Sequence, residues 1–187
     1  MAFNREVNMQ QIIVSGVGGQ GVLFVTKVLA DTAMKAGFSV MASETHGMAQ
    51  RGGNVISHLK VEPGSDASRT RLSSPLIRPG HADVLFSLHP DAILAHAHFL
   101  KPGGRAFCNT PDATGSNAID ATRIATELGS PISANLVLLG FAAGTGALFC
   151  KPEDIAATID GYGGRRREIA LRAFLAGKEA LALKTRS

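Results

Sequence analysis

The chain has 187 residues, of which 45% are hydrophobic and 18% charged, with a formal net charge of +4. This length suits a single domain, residues 1–187, and so mild a basic excess is weak support for nucleic acid as a partner. Two cysteines exclude a disulfide framework and the four thiolate ligands of an iron–sulfur cluster, so we expect no metal site on this chain.

The first ten residues, Met1–Gln10, are polar and lack the apolar core of a signal peptide. No later apolar run approaches the roughly 18 residues that a membrane span requires. We therefore expect a cytoplasmic protein that has no membrane partner.

A strand, a helix and a second strand come next. Gln11–Ser15 has an apolar centre that is typical of a buried strand. Val22–Lys35 repeats apolar residues at spacings of three and four, and Phe38–Ser43 has β-type composition. Such a unit predicts parallel strands joined by a right-handed crossover. We expect an α/β fold of three layers, α/β/α, around a mostly parallel, doubly wound, Rossmann-like sheet.

Later segments continue this alternation of strands and helices. The predicted strands are Asn54–Val61, Ala82–Ser87, Arg105–Asn109 and Ile132–Ala134. The predicted helices run from Pro90 to about Leu100, over Asp120–Leu128, over Leu136–Phe149, from Lys151 to Ile159, and from Arg165 to about Leu183. Alternation in Asn54–Val61 predicts one solvent-facing side or an edge position. Leu136–Phe149 is apolar on nearly every face and requires cover from this chain or from a partner.

A glycine loop connects the first strand to the first helix through Gly16, Gly18, Gly19, Gln20 and Gly21. Glycines at such a junction expose backbone N–H groups beside a helix N-terminus, which favours an anion. Three of them also fit the spacing of the dinucleotide-binding fingerprint. The loop is a candidate site for a nucleotide, a coenzyme or a partner's backbone, although a tight turn used for packing explains the same glycines.

A second candidate loop follows the second strand and includes Glu44, His46, Gln50, Arg51, Gly52 and Gly53. The acid and the histidine suit acid–base chemistry, and the arginine suits a carboxylate or phosphate. If the first two strands are neighbours, both loops meet at one edge of the sheet. A loop held only by its own hydrogen bonds is the alternative. Of the remaining histidines, His96 and His98 would point to different faces of a helix and so would not pair on a metal.

The combination of these motifs resembles a known family. The segments GVGGQGV (16–22), ETHGMAQRGGNV (44–55), SPLI (74–77) and ADVL (82–85) are similar to the gamma-type subunit of 2-oxoacid:ferredoxin oxidoreductases, above all to the small subunits of the indolepyruvate enzymes. The similarity runs from about residue 10 to about residue 180. The glycine loop together with the distant RGG is more specific than either motif alone.

The resemblance implies a subunit that binds no cofactor by itself and is inactive in isolation. Its large partner would carry thiamine diphosphate, magnesium and iron–sulfur clusters. The complex would decarboxylate a 2-oxoacid, with an arylpyruvate such as indolepyruvate as the expected substrate, form the acyl-coenzyme A, and pass electrons to ferredoxin. This chain would lie near coenzyme A. A free-standing NAD(P)-dependent oxidoreductase and a basic nucleic-acid-binding module remain as alternatives, and self-association of the isolated chain stays open.

Overall fold

Strands and helices alternate along the described residues 9–46, 53–64 and 74–185 of a computed structural model. The strands are β1 (Gln10–Val17), β2 (Phe38–His46), β3 (Asn54–Pro63), β4 (Ala82–Ser87), β5 (Leu100–Asn109) and β6 (Ala118–Ile119). The α-helices are α1 (Val22–Lys35), α2 (Pro90–His96), α3 (Ala121–Glu127), α4 (Ala134–Gly144), α5 (Pro152–Gly161) and α6 (Arg167–Lys184). None of these helices combines the length and hydrophobicity of a membrane-spanning segment.

The six strands form one mixed sheet in the order β2-β3-β1-β4-β5-β6. β1, β4, β5 and β6 pair in parallel, whereas β3 is antiparallel to both β1 and β2. β2 therefore runs in the same direction as β1, and the predicted α/β fold with a mostly parallel sheet is confirmed. However, β1 and β2 are not neighbours, because β3 lies between them. An edge position for β3 is thus wrong: its alternation reflects two unequally covered faces, with Leu59 buried and Lys60 half-buried.

The helices cover the two faces of the sheet unequally. On the first face, Ile12 and Val14 of β1 belong to a large apolar core shared with α1, α3, α4, α5 and α6. On the second face, Ile13 and Leu85 pack with Ile77 and with residues from α2 and the turn after it. The second layer is therefore thin, and a short chain segment around Ile77 completes it.

Helix α4 lies inside the first layer, and its cover comes from this chain. All its residues from 135 to 143 are buried, as the apolar composition predicts. A Cβ on Gly140 would collide with the Phe174 carbonyl of α6, so the two helices touch backbone to backbone. The helix ends at Gly144 rather than at Phe149, because Gly146 takes a φ of +71° and turns the chain.

Two of the predicted elements differ from the observed ones near the end of the sheet. Ile132–Ala134 is not a strand: Pro131–Ser133 forms a 3₁₀ turn that leads directly into α4, and proline suits the first position of such a turn. The sixth strand is Ala118–Ile119, which is too short to leave a periodic pattern. The helix from Pro90 ends at His96 and continues as a single 3₁₀ turn before β5 begins at Leu100.

Candidate functional site

The glycine loop lies at the carboxyl end of β1 and leads into α1. Gly16 is buried beneath it, whereas Gly18 and Gly19 form an exposed crest. Gly19 and Gly21 have φ angles of +96° and +79°, a region that side chains disfavour. Among the described residues no side chain caps α1, so the first-turn amides of the helix face this loop.

The side-chain amide of Gln20 bonds two backbone groups and so closes the loop. Its Oε1 accepts a hydrogen bond of 2.8 Å from the Val17 N–H, and its Nε2 donates one of 3.2 Å to the Leu88 carbonyl, directly after β4. A Cβ added to Gly16 would lie 2.8 Å from Gln20 Oε1, so the amide rests on that glycine. Gln20 thereby ties the turn after β1 to the end of β4.

The far end of the loop rests on α4. Asn135, which is 6% exposed, donates from Nδ2 to the Gly21 carbonyl at 3.4 Å and accepts the Leu136 N–H at 2.8 Å. A Cβ on Gly21 would collide with the Asn135 amide. Two side-chain amides therefore fix the two ends of the glycine loop and leave only its crest open.

The second predicted loop approaches the first through β3. The Gly18 N–H donates to the Gly53 carbonyl at 3.1 Å, just before β3 begins beside β1. The loops meet although β1 and β2 are not neighbours, because the inserted β3 brings Gly53 there. Glu44 is exposed on β2. Gln50, Arg51, Gly52 and the His46 side chain lie outside the described part of the chain.

A cleft of about 530 Å³ opens beside the glycine loop, beyond the carboxyl ends of β4 and β5. Open α/β sheets bind ligands at this edge. Its lining includes Gln20, Leu88, His89, Asn109, Thr122 and Arg123. Asn109 is 8% exposed and donates from Nδ2 to the Leu88 carbonyl at 3.1 Å and to Thr122 Oγ1 at 2.9 Å. No sequence motif identifies Asn109 as part of this cleft, because its partner Leu88 is 21 residues away.

Three histidines that belong to neither candidate loop pack together on the second face of the sheet. The rings of His58, His96 and His98 surround Phe99, with centroid distances of 5.3, 6.3 and 4.4 Å. His58 Nδ1 accepts the Ile77 N–H at 3.2 Å, and His96 Nδ1 lies 2.6 Å from Ser15 Oγ. Within the described ranges, no three His, Cys, Asp or Glu side chains gather as metal ligands.

The same packing shifts the titration of two of these rings. Burial lowers the pKa of His58, and the positive charges of His96 and Lys60 lower it further. Burial also lowers the pKa of His96, with a further contribution from His98 and an opposing one from a backbone hydrogen bond at Ala92. Both rings therefore favour the neutral form in the folded protein.

The family model for pyruvate ferredoxin/flavodoxin oxidoreductase matches residues 11–180. Indolepyruvate oxidoreductase subunit IorB of Archaeoglobus fulgidus is 34% identical over 159 residues, which are 71% of this chain and 75% of that protein. The keto/oxoacid ferredoxin oxidoreductase gamma subunit of Geobacter sulfurreducens superposes with a TM-score of 0.72 at 24% identity, over 93% of this chain and 99% of its own.

A longer solved relative shares the fold as well. The 2-oxoglutarate:ferredoxin oxidoreductase of Magnetococcus marinus, whose structure contains 2-oxoglutarate, coenzyme A and succinyl-CoA, superposes with a TM-score of 0.72 at 21% identity. The superposition covers 96% of this chain and 32% of that one. This chain therefore corresponds to about a third of the longer protein.

Proposed function

The chain belongs to the pyruvate ferredoxin/flavodoxin oxidoreductase family, and on that premise we propose that it is the gamma-type subunit of a complex that oxidises an arylpyruvate such as indolepyruvate. In this reaction a 2-oxoacid and coenzyme A give an acyl-CoA and carbon dioxide, while two electrons pass to ferredoxin. The observation that carries the proposal is the match to a curated relative that is named as an indolepyruvate oxidoreductase subunit.

The chemistry of this chain supports a division of labour with a larger subunit. Its two cysteines, Cys108 and Cys150, are both free, and burial raises the pKa of each thiol. Two protonated thiols do not fit an iron–sulfur cluster, which needs four thiolates. We assign the clusters, thiamine diphosphate and magnesium to the partner subunit, and no redox step to residues of this chain.

The glycine loop is our candidate for one wall of the coenzyme A site. Its exposed crest, Gly18 and Gly19, lies at the start of the 14-residue helix α1, where backbone N–H groups and the helix dipole suit phosphate oxygens. Gly53 of the second loop adjoins this crest, and the cleft beyond β4 and β5 continues the same edge of the sheet. The proposed role of this wall is to bind and orient the coenzyme, since the described residues show no complete catalytic set.

Isolation of the native complex through an affinity tag on this chain tests the assignment. We expect a large cluster-bearing subunit to co-purify and ferredoxin reduction to require both coenzyme A and a 2-oxoacid, with indolepyruvate used better than pyruvate or 2-oxoglutarate. A preference for pyruvate would refute the arylpyruvate assignment alone. A chain that purifies without a partner and binds NAD(H) at micromolar concentration would refute the subunit assignment.

A charge placed on the crest tests the coenzyme wall separately. In the assembled complex, Gly19→Asp should raise the KM for coenzyme A by about tenfold or more, because the new carboxylate repels phosphate. The matched control is Gly146→Asp, since Gly146 is also exposed and has a φ of +71° but lies beyond the other end of the sheet. Equal coenzyme KM values in both variants would contradict this role of the loop.

A further inference from the structure

We propose that Gln20 is a positioning residue, whose side-chain amide holds the glycine loop in its ligand-presenting shape through two hydrogen bonds to the backbone. The inference rests on the proposed role of the loop in coenzyme A binding. It separates two kinds of residue within one motif: Gly18 and Gly19, which form the exposed crest, and Gln20, whose hydrogen bonds fix the backbone on either side of them.

The polar atoms of Gln20 are engaged within the protein. An amide side chain offers an oxygen with two lone pairs and a nitrogen with two N–H donors, and each of these atoms makes one bond here. In Gln20 the oxygen accepts the Val17 N–H and the nitrogen donates to the Leu88 carbonyl. An outward rotation toward a ligand would break both bonds and uncover the buried Gly16.

The Leu88 backbone joins three strand ends, and Gln20 connects the loop to this junction. The Leu88 carbonyl accepts hydrogen bonds from Gln20 and from Asn109, which ends β5, while the Leu88 N–H donates to the Ser15 carbonyl of β1 at 2.8 Å. The position of the glycine crest is therefore fixed relative to the edge of the adjoining cleft. Loss of the Gln20 side-chain bonds would loosen the crest, which keeps its Gly18–Gly53 hydrogen bond, and would leave the β1–β4 pairing in place.

Gln10 provides a matched control at the opposite end of β1. Its Nε2 donates to the Ala147 carbonyl at 2.8 Å, and its Oε1 accepts the Phe149 N–H at 2.9 Å. Both glutamines are half-buried, and each bonds one backbone carbonyl and one backbone N–H. The bonds of Gln10 secure the chain that follows α4, away from the glycine loop.

The experiment compares Gln20→Met with Gln10→Met in the complete complex, because methionine keeps the length of the side chain without its hydrogen bonds. We expect Gln20→Met to raise the KM for coenzyme A by about tenfold while kcat and the KM for the 2-oxoacid change by less than about twofold. Gln10→Met should leave all three parameters close to those of the parent complex.

Three results would overturn the positioning role: an unchanged coenzyme KM in Gln20→Met, an equal change in Gln10→Met, or a loss of kcat alone. If Gln20→Met fails to assemble, Gln20→Glu replaces it at a salt concentration that screens the new charge. The carboxylate still accepts the Val17 N–H but cannot donate to Leu88, so the same rise in KM is expected and its absence would refute the tie to β4. A complex that responds to Gly19→Asp but to neither Gln20 variant would refute only this inference.

Discussion

A glutamine side chain bonds the neighbouring backbone at each end of β1, but the surroundings of the two glutamines differ. At the amino end, Gln10 bonds the backbone of Ala147 and Phe149, and Phe149 is buried against Phe38 with ring centroids 5.6 Å apart. At the carboxyl end, Gln20 bonds the backbone around a loop whose crest stays exposed. The hydrogen bonds of the first glutamine lie beside the buried core, and those of the second lie beside an exposed loop. The two glutamines therefore make the same pair of backbone hydrogen bonds in different surroundings, one beside buried core residues and one beside an exposed crest.

Helix α4 links these two ends. Asn135, in its first turn, supports Gly21 of the glycine loop, and the chain beyond its last turn reaches Gln10. The helix is held in place by α6 through contacts at Gly140 and Gly177. A change at that helix pair should therefore disturb both ends together, whereas a change in either loop should remain local.

Gly140→Ala should have the largest effect. The added methyl group would collide with the Phe174 carbonyl, which is backbone and cannot rotate away, so α4 and α6 must separate. Overpacking of this kind costs about 3 kcal/mol of unfolding free energy. Denaturant titration measures the loss, and hydrogen exchange should show faster opening at both Val17 and Phe149. Faster exchange at one end alone would contradict the linking role of α4.

Gly21→Ala should have an intermediate effect that is confined to the carboxyl end. Its φ of +79° disfavours alanine, and the new Cβ would push the Asn135 amide off the Gly21 carbonyl. We expect a loss of about 2 kcal/mol in unfolding free energy. Gly146→Ala is the control, because its φ is +71° but the space around it is open, so strain alone should cost about 1 kcal/mol. Equal losses from the two variants would show that Asn135 does not support the loop.

Local features of the sequence predict much of this architecture. The bounds of α1 and β4 agree with the sequence patterns, because helix periodicity and a short apolar run are properties of adjacent residues. The glycine loop is likewise found at the carboxyl end of β1, although Gly16 is still part of that strand and pairs with Val55. The insertion of β3 between β1 and β2 could not be predicted, since strand order depends on contacts between distant segments.

Sequence patterns also could not predict the hydrogen bonds that support the candidate site. Gln20 and Leu88 are 68 residues apart, and Ser15 and His96 are 81 residues apart, so neither pair leaves a spacing signal. Sequence motifs identify Gln20 as part of a candidate site, but only the fold shows that its amide bonds the backbone at Val17 and Leu88. The proposed ligand contacts of the glycine loop remain predictions, as do those of Glu44, His46 and Arg51.

The mildest comparison uses pH and sets the second face of the sheet, where His58 lies opposite Ile13, against the amino end of β1. The Ile77 N–H bonds His58 Nδ1, which must be unprotonated to accept it, whereas the Phe149 N–H bonds the Gln10 amide, which does not titrate. His96 and Lys60 are the groups whose positive charge acts on His58, while His98 acts on His96 and Arg78 acts on Lys60. Protonation of His58 would therefore break one hydrogen bond and add charge to an already basic surrounding.

The direction of the effect follows from the lowered pKa of His58. Its ordinary value is 6.5, so as the pH falls below 6.5 the unfolded chain takes up protons before the folded one does. The contribution of His58 to the unfolding free energy should be constant above that pH and decrease below it. Hydrogen exchange, corrected for its intrinsic pH dependence, should show the opening free energy of Ile77 decreasing on acidification while that of Phe149 changes less. His58→Asn keeps an acceptor without a titrating group and should reduce this difference, and an undiminished difference would assign the acid sensitivity to His96 instead.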